Sequence, residues 1–148
     1  MFVVFLFYSV KEPQQAVIAK KVRNMLYTQV MRQNKEFQQC YHRGRSVACP
    51  YVIIYARKNH LPVNRLGITT GKKVGNAVCR SRARRLIRQA WRENEAQAPI
   101  GLDIVIVARN TLLEIQSNVL SDYFRQKGIP ALHKIYCGEM PPPKPKKC

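Results

Sequence analysis

Between Gly71 and Arg92 runs the stretch GKKVGNAVCRSRARRLIRQAWR, with Lys or Arg at 72, 73, 80, 82, 84, 85, 88 and 92 and no Asp or Glu. Asn76 stands just before a run of helical periodicity and reads as its N-cap, with Gly75 easing the turn into it. At about 100° per residue, Cys79, Ala83, Leu86, Ile87, Ala90 and Trp91 share one face. The arginines take the rest of the cylinder. One side of this helix must be buried, and the other must meet negative charge.

The arginines divide further. Arg80, Arg84 and Arg88 form an i, i+4, i+8 stripe beside the apolar face, whereas Arg82, Arg85 and Arg92 point further out. Like charges four residues apart destabilise an isolated helix by a few tenths of a kcal/mol per pair. Two or three arginines would read as a solvated face. Six, with no acidic neighbour before Glu93, read as a face for a polyanion. Lys72 and Lys73 add point charges where a helix N-terminus already favours phosphate.

The chain as a whole leans the same way. Its 26 Lys and Arg against 8 Asp and Glu give a net charge of +18 on 148 residues, the length of one ordinary domain with tails. Such a surface attracts nucleic acid or an anionic membrane, and charge alone does not choose between them. The cysteines (Cys40, Cys49, Cys79, Cys137 and Cys148) are odd in number, irregularly spaced and free of any CxxC pair. They read as reduced, intracellular thiols rather than a disulfide framework. Cys40 and His42 are the only close Cys/His pair, short of the four ligands a zinc site needs.

Met1–Val10 is apolar but only about half the length of a membrane span, and it lacks the flanks of a signal peptide. Gln15–Val30 has loose helical character. Asn34–Tyr41 reads as a short helix running to Gly44, with Phe37 and Tyr41 on one face. Tyr51–Arg57 and Arg65–Thr70 read as strands, and the short connection between them predicts an antiparallel hairpin. Ser46–Ala48 adds a leading strand. Gly67–Lys73 superficially resembles a phosphate loop, but three residues separate its glycines and Lys73 stands where Ser or Thr is needed, which excludes Walker-type nucleotide binding. Asn94–Pro99 is a polar connection. Asp103–Ala108 is a nearly continuous apolar run suited to a buried strand, and Thr111–Lys127 predicts a last helix stopped by Gly128 and Pro130. The tail, MPPPKPKKC from Met140, predicts an extended, solvated segment.

Four of these pieces, NKEFQQCYHRG (34–44), YVIIY (51–55), the block from Arg65 to Arg92 and GLDIVIVAR (101–109), together resemble the protein subunit of bacterial ribonuclease P. The resemblance covers roughly Gln33–Gln126, and the third piece carries the family signature. It implies an α+β fold: a single-domain αβββαβα two-layer sandwich with a mixed sheet, shared with a domain of a ribosomal protein. The domain is expected over 31–128, with an extension of no assigned role at 1–30 and a Pro/Lys-rich tail at 129–148.

The resemblance also implies a ribonucleoprotein that removes the 5′ leader of precursor tRNA. The partner RNA would do the chemistry with bound Mg2+, no metal would be held stably by the protein, and the location would be cytoplasmic without stable membrane association. Contacts to ribonuclease P RNA are expected from Lys72, Lys73, Asn76, Arg80, Ser81, Arg82, Arg84, Arg85 and Arg88, and contacts to the leader from Phe37, Tyr41 and Tyr55. Ser81 departs from the family's usual Asn and has a shorter reach. Arg84 stands where Lys is commoner, which keeps the charge and adds bidentate capacity. The alternative is a non-catalytic RNA-binding protein of the ribosome or another ribonucleoprotein. A stand-alone nuclease would need a carboxylate cluster or a histidine acid/base pair, and the acidic residues are scattered.

Overall fold

Asp103–Ala108 is apolar at every position after its aspartate, so it can be shielded on both faces only inside a sheet, and that is where it lies. The computed structural model describes residues 27–140. In chain order it contains β1 (Thr28–Val30), α1 (Asn34–Arg43), β2 (Arg45–Ala48), β3 (Val52–Lys58), β4 (Asn64–Thr69), α2 (Ala77–Asn94), β5 (Leu102–Ala108), α3 (Ser117–Tyr123) and α4 (Ile129–Cys137). The strands form one mixed sheet in the order β1-β4-β5-β3-β2. From α1 onward the order matches the expected αβββαβα, and the segments Met1–Val10 and 141–148 lie outside the described residues.

The expected hairpin does not form as a pair. β3 and β4 are antiparallel in direction, but β5 lies between them, antiparallel to β3 and parallel to β4. The connection must therefore cross two strand spacings, roughly 9.6 Å. Asn59 braces it: its N–H donates to the Gly101 carbonyl at 3.0 Å, and its Nδ2 donates to the Val63 carbonyl at 3.1 Å and to Asp103 Oδ1 at 3.0 Å. A short loop between two strands fits a direct hairpin and this straddle equally well. β2 pairs with β3 as a true hairpin.

Alternation along the strands sorts the core into two sides. Val52, Ile54, Ala56, Ile104 and Ile106 face a main cluster with Ala83, Ile87 and Trp91 of α2, Leu120 of α3 and Leu132 of α4. Tyr55, Val105 and Val107 face the other way, toward α1, where Met31 and Cys40 complete a smaller cluster. The two-layer core thus carries α1 across its second face.

The last helix departs from expectation. Residues 110–114 form a 3-10 turn, α3 follows, and a π turn at Phe124–Gly128 leads straight into α4. Pro130 is tolerated because it sits in the first turn of α4, where its missing N–H and fixed φ cost little. Gly128 serves close approach rather than termination: a Cβ there would stand 2.8 Å from the Phe124 ring. The stop is Gly138, at φ +78°, whose N–H reaches the Ile135 and Lys134 carbonyls.

The packed unit extends past the expected limits at both ends. Ile129, Leu132 and Ile135 are buried in the main core. Thr28–Val30, read as part of a loose helix, pairs in parallel with Asn64–Leu66. Glu95, read as part of a polar connection, is 2% exposed and holds this strand in place. It accepts from the Tyr27 N–H at 2.7 Å and from Thr28 Oγ1 at 2.5 Å, while Trp91 Nε1 donates to Thr28 Oγ1 at 3.1 Å.

A chain shortened to begin at Met31 loses β1 and these donors to Glu95. Hydrogen bonds to charged groups contribute roughly 1.5–3 kcal/mol each, so its melting temperature should fall by several degrees below that of a chain retaining Tyr27–Val30. An unchanged thermal melt would show that β1 adds nothing to stability.

Candidate nucleic-acid interface

The basic block begins where β4 ends. Val74 is buried and pins a short 3-10 turn, leaving Lys72 and Lys73 exposed just before α2. Gly75 adopts φ +134°, which an L side chain rarely adopts, and a Cβ there would also press on Cys79 at 2.9 Å. Asn76 Oδ1 then accepts from the Cys79 N–H at 2.9 Å, so the expected N-cap is present. That leaves its Nδ2 for any ligand contact.

Along α2, Ala83, Ile87, Ala90 and Trp91 are buried, while Arg82, Arg85, Arg88 and Arg92 are exposed. The arginines fall on two flanks. Arg82 and Arg85 line a shallow groove with Ala77, Val78 and Ser81. Arg84 and Arg88 line another with Val30, Met31, Phe37, Leu66 and Ile68. Arg84 Nη1 donates to Thr70 Oγ1 at 3.0 Å. Arg80 lies half-covered with its Nε buried and unpaired among the described residues, outside both grooves. None of the ion pairs among the described residues involves an α2 arginine.

The three candidate aromatics converge on the opposite face of the sheet. Phe37 lies over Gly67, where a Cβ would stand 2.4 Å from its ring, so only glycine admits it. Tyr41 and Tyr55 meet edge to face, with centroids 5.1 Å apart and planes at 89°. The Tyr41 hydroxyl shares a 2.7 Å hydrogen bond with Thr69 Oγ1. All three rings are half-buried around Met31, Cys40 and Val105. Phe37 joins the two sets, since it also lines the groove of Arg84 and Arg88.

A buried ion pair seats α1 on the sheet. Asp103 has no exposed surface, and Arg65 grips it with two hydrogen bonds of 2.6 Å while reaching Glu36 of α1 at 2.5 Å. The hydrogen bond to Asp103 raises the Arg65 pKa further. Arg57 Nη1 donates to Gln39 of α1 at 3.3 Å. Cys40 Sγ donates to the Asp103 carbonyl at 3.2 Å, and burial pushes its thiol up to about 12. Sequence reasoning missed this cluster. The available signal was an aspartate opening an otherwise apolar strand.

Among the described residues, the surface offers guanidinium groups outside any ion pair, with the half-buried Phe37 beside two of them. That combination neutralises phosphate and stacks unpaired bases. Among the described residues no group of three His, Cys, Asp or Glu side chains is placed to share a metal ion.

Comparison with known proteins gives the same direction. A family model described as Ribonuclease P matches residues 25–128. The ribonuclease P protein component of Lachnoclostridium phytofermentans is 48% identical over 79 residues, covering 53% of this chain and 68% of that protein. That of Alkaliphilus metalliredigens is 42% identical over 95 residues, covering 61% and 86%. Among solved structures, the RNase P protein of Staphylococcus aureus has a TM-score of 0.61 at 27% identity, covering 75% of this chain and 98% of its own. The RNase P protein of Thermotoga maritima gives 0.61 at 28% identity, covering 72% and 97%.

Removing one partner of a buried pair costs about 3–5 kcal/mol because the other is left uncompensated. Asp103 keeps Arg57 at 3.9 Å and the Asn59 amide, so Arg65→Ala should lower the unfolding free energy by no more than about 3 kcal/mol, whereas Arg125→Ala, in a surface pair with Asp122, should change it by less than about 1 kcal/mol. Chemical denaturation of both variants checks the contrast, and equal losses would mean that the Asp103 cluster is not what seats α1.

Proposed function

The chain belongs to the ribonuclease P family, and we propose from that premise that its arginine helix and its aromatic cleft hold two different parts of an RNA assembly. It is the protein component of a ribonucleoprotein endoribonuclease that matures the 5′ end of tRNA, and its partner is ribonuclease P RNA. The RNA subunit supplies the catalysis, with its Mg2+. Four of the protein's carboxylates are held in internal contacts: Asp103 and Glu36 by Arg65, Glu95 by the β1 backbone and Thr28, and Asp122 by Arg125.

On this reading Lys72, Lys73, Asn76, Arg80, Ser81, Arg82 and Arg85 contact the partner RNA. Phe37, Tyr41 and Tyr55 receive the single-stranded leader of precursor tRNA, and Arg84 and Arg88 bridge the two surfaces. The observation that carries it is the shared groove of Phe37, Arg84 and Arg88, whose lining combines an aromatic side chain with two cations. Stacking contributes about 1–3 kcal/mol per base with little sequence choice, which suits a leader whose sequence varies. Mature tRNA has no leader, so the cleft strengthens binding of precursor over product. No helix among the described residues is long and apolar enough to cross a membrane, and we place the assembly in the cytoplasm.

The decisive assay is cleavage of precursor tRNA at low magnesium by a bacterial ribonuclease P RNA, with and without the chain. The chain should accelerate cleavage by the RNA and leave precursor intact when alone. Binding of the RNA without any gain in cleavage would favour a ribosomal or other RNA-binding role instead. A nuclease activity that co-purifies with the chain and disappears on changing one carboxylate would overturn the assignment of the chemistry.

Arg82 and Arg85 supply a quantitative check on the outer groove. Replacing both with Ala should weaken binding to the partner RNA and flatten the slope of log K against log salt by roughly 0.7–0.9 per lost phosphate contact. An unchanged slope would leave these side chains as solubilising groups only.

A further inference from the structure

Two consecutive threonines, Thr69 closing β4 and Thr70 directly after it, each hold one side chain of the candidate interface. Thr69 shares its 2.7 Å hydrogen bond with the Tyr41 hydroxyl of α1, and Thr70 accepts from Arg84 of α2 at 3.0 Å. Neither threonine offers a ring or a charge, and neither belongs to the predicted contact set. We propose that Thr69 and Thr70 are positioning residues, which set the tilt of the Tyr41 ring and the aim of the Arg84 guanidinium from one strand end.

Each bond restricts a side chain at little cost to its binding capacity. Arg84 gives one of its five N–H groups to a neutral hydroxyl and keeps the others for an anion. A long side chain already ordered loses less freedom when it binds. Tyr41 uses only its hydroxyl, so its ring keeps the perpendicular contact with Tyr55 while remaining half-exposed. Because both bonds end on adjacent residues, platform and cation are tied to one stretch of backbone. An unpaired strand spanning the two would meet them in a constant relative placement.

This inference rests on the proposed leader and RNA contacts, so its test carries controls for them. The full chain is reconstituted with a bacterial ribonuclease P RNA. Binding of that RNA, of precursor tRNA and of mature tRNA is measured for Thr69→Val, Thr70→Val and the corresponding Ser variants, beside thermal melts. Losing one net hydrogen bond corresponds to about a 2- to 12-fold change. Thr70→Val should weaken, by that factor, whichever binding step Arg84→Ala weakens. Thr69→Val should reduce the precursor-over-mature preference by a similar factor. Tyr41→Phe should do the same, and combining it with Thr69→Val should add nothing. Serine at either position should restore binding, with melting temperatures unchanged throughout.

Valine variants that bind normally while Arg84→Ala and Tyr41→Ala lose affinity would overturn the positioning role alone. So would losses that serine does not restore or that follow the melting temperature. Should a valine variant fail to fold, the Tyr41→Phe and serine variants decide the matter by the same measurements. If Arg84→Ala and Tyr41→Ala themselves bind normally, the proposed contacts fail and the positioning role falls with them.

Discussion

A carboxylate with no exposed surface sits at the second position of the central strand, and the cleft side of this protein depends on how it is satisfied. Asp103 is held by two 2.6 Å bonds from Arg65 and one from Asn59. Through Arg65 the same cluster reaches Glu36, and through its own carbonyl it takes the Cys40 thiol. Both belong to α1, a helix of only ten residues, too short to be stable by itself. Asp103 therefore does more than fill a polar gap. It sets where α1 lies, and Phe37 and Tyr41 are carried on α1. A well-packed apolar cluster would serve stability as well, but it would set the helix's position less narrowly.

Charge is handled oppositely on the other side of the sheet. The acidic groups near the core are spent on internal contacts, and the α2 arginines form no ion pair among the described residues. Repulsion along α2 is tolerated because Ala83, Ile87, Ala90 and Trp91 bury the helix's other face. Packing thus maintains a charge distribution that an isolated helix would disfavour. A bound polyanion would relieve this repulsion, so the proposed contacts would draw part of their drive from the unbound protein itself.

Features set by neighbours in sequence were legible. The Asn76 cap, the buried face of α2, the alternation of β3 and the enclosed character of β5 each follow from a few adjacent residues. Features that join distant segments were not. Nothing near Asn59 indicates that a third strand will separate the two it connects, because the apolar run responsible begins more than forty residues later. Glu95 looked like loop because its partners, Tyr27 and Thr28, lie in a segment with no visible role. Gly128 and Pro130 were legible as helix breakers in isolation, yet a π turn and the first-turn position of the proline absorb both. For the candidate interface, the division of Arg84 and Arg88 from Arg82 and Arg85 was legible in the helical spacing, but that Arg84 and Arg88 share a groove with Phe37 required the position of α1.

The placement of β5 bears on how the chain can be made. Among the described strands it is the last to be synthesised and the middle one of the sheet, bonded to β3 on one side and β4 on the other. Until residue 108 is available, the strands have only the β2–β3 hairpin and the three-residue β1–β4 pairing, and so small a set of pairings is marginal in water. The nascent protein thus presents its whole arginine block, unsupported and unneutralised, before the sheet that carries it can close. Assembly is then nearly all-or-none and late, with long-range pairings dominating its rate. Helical structure in α2 at that stage would be favoured by any anionic chain already at hand.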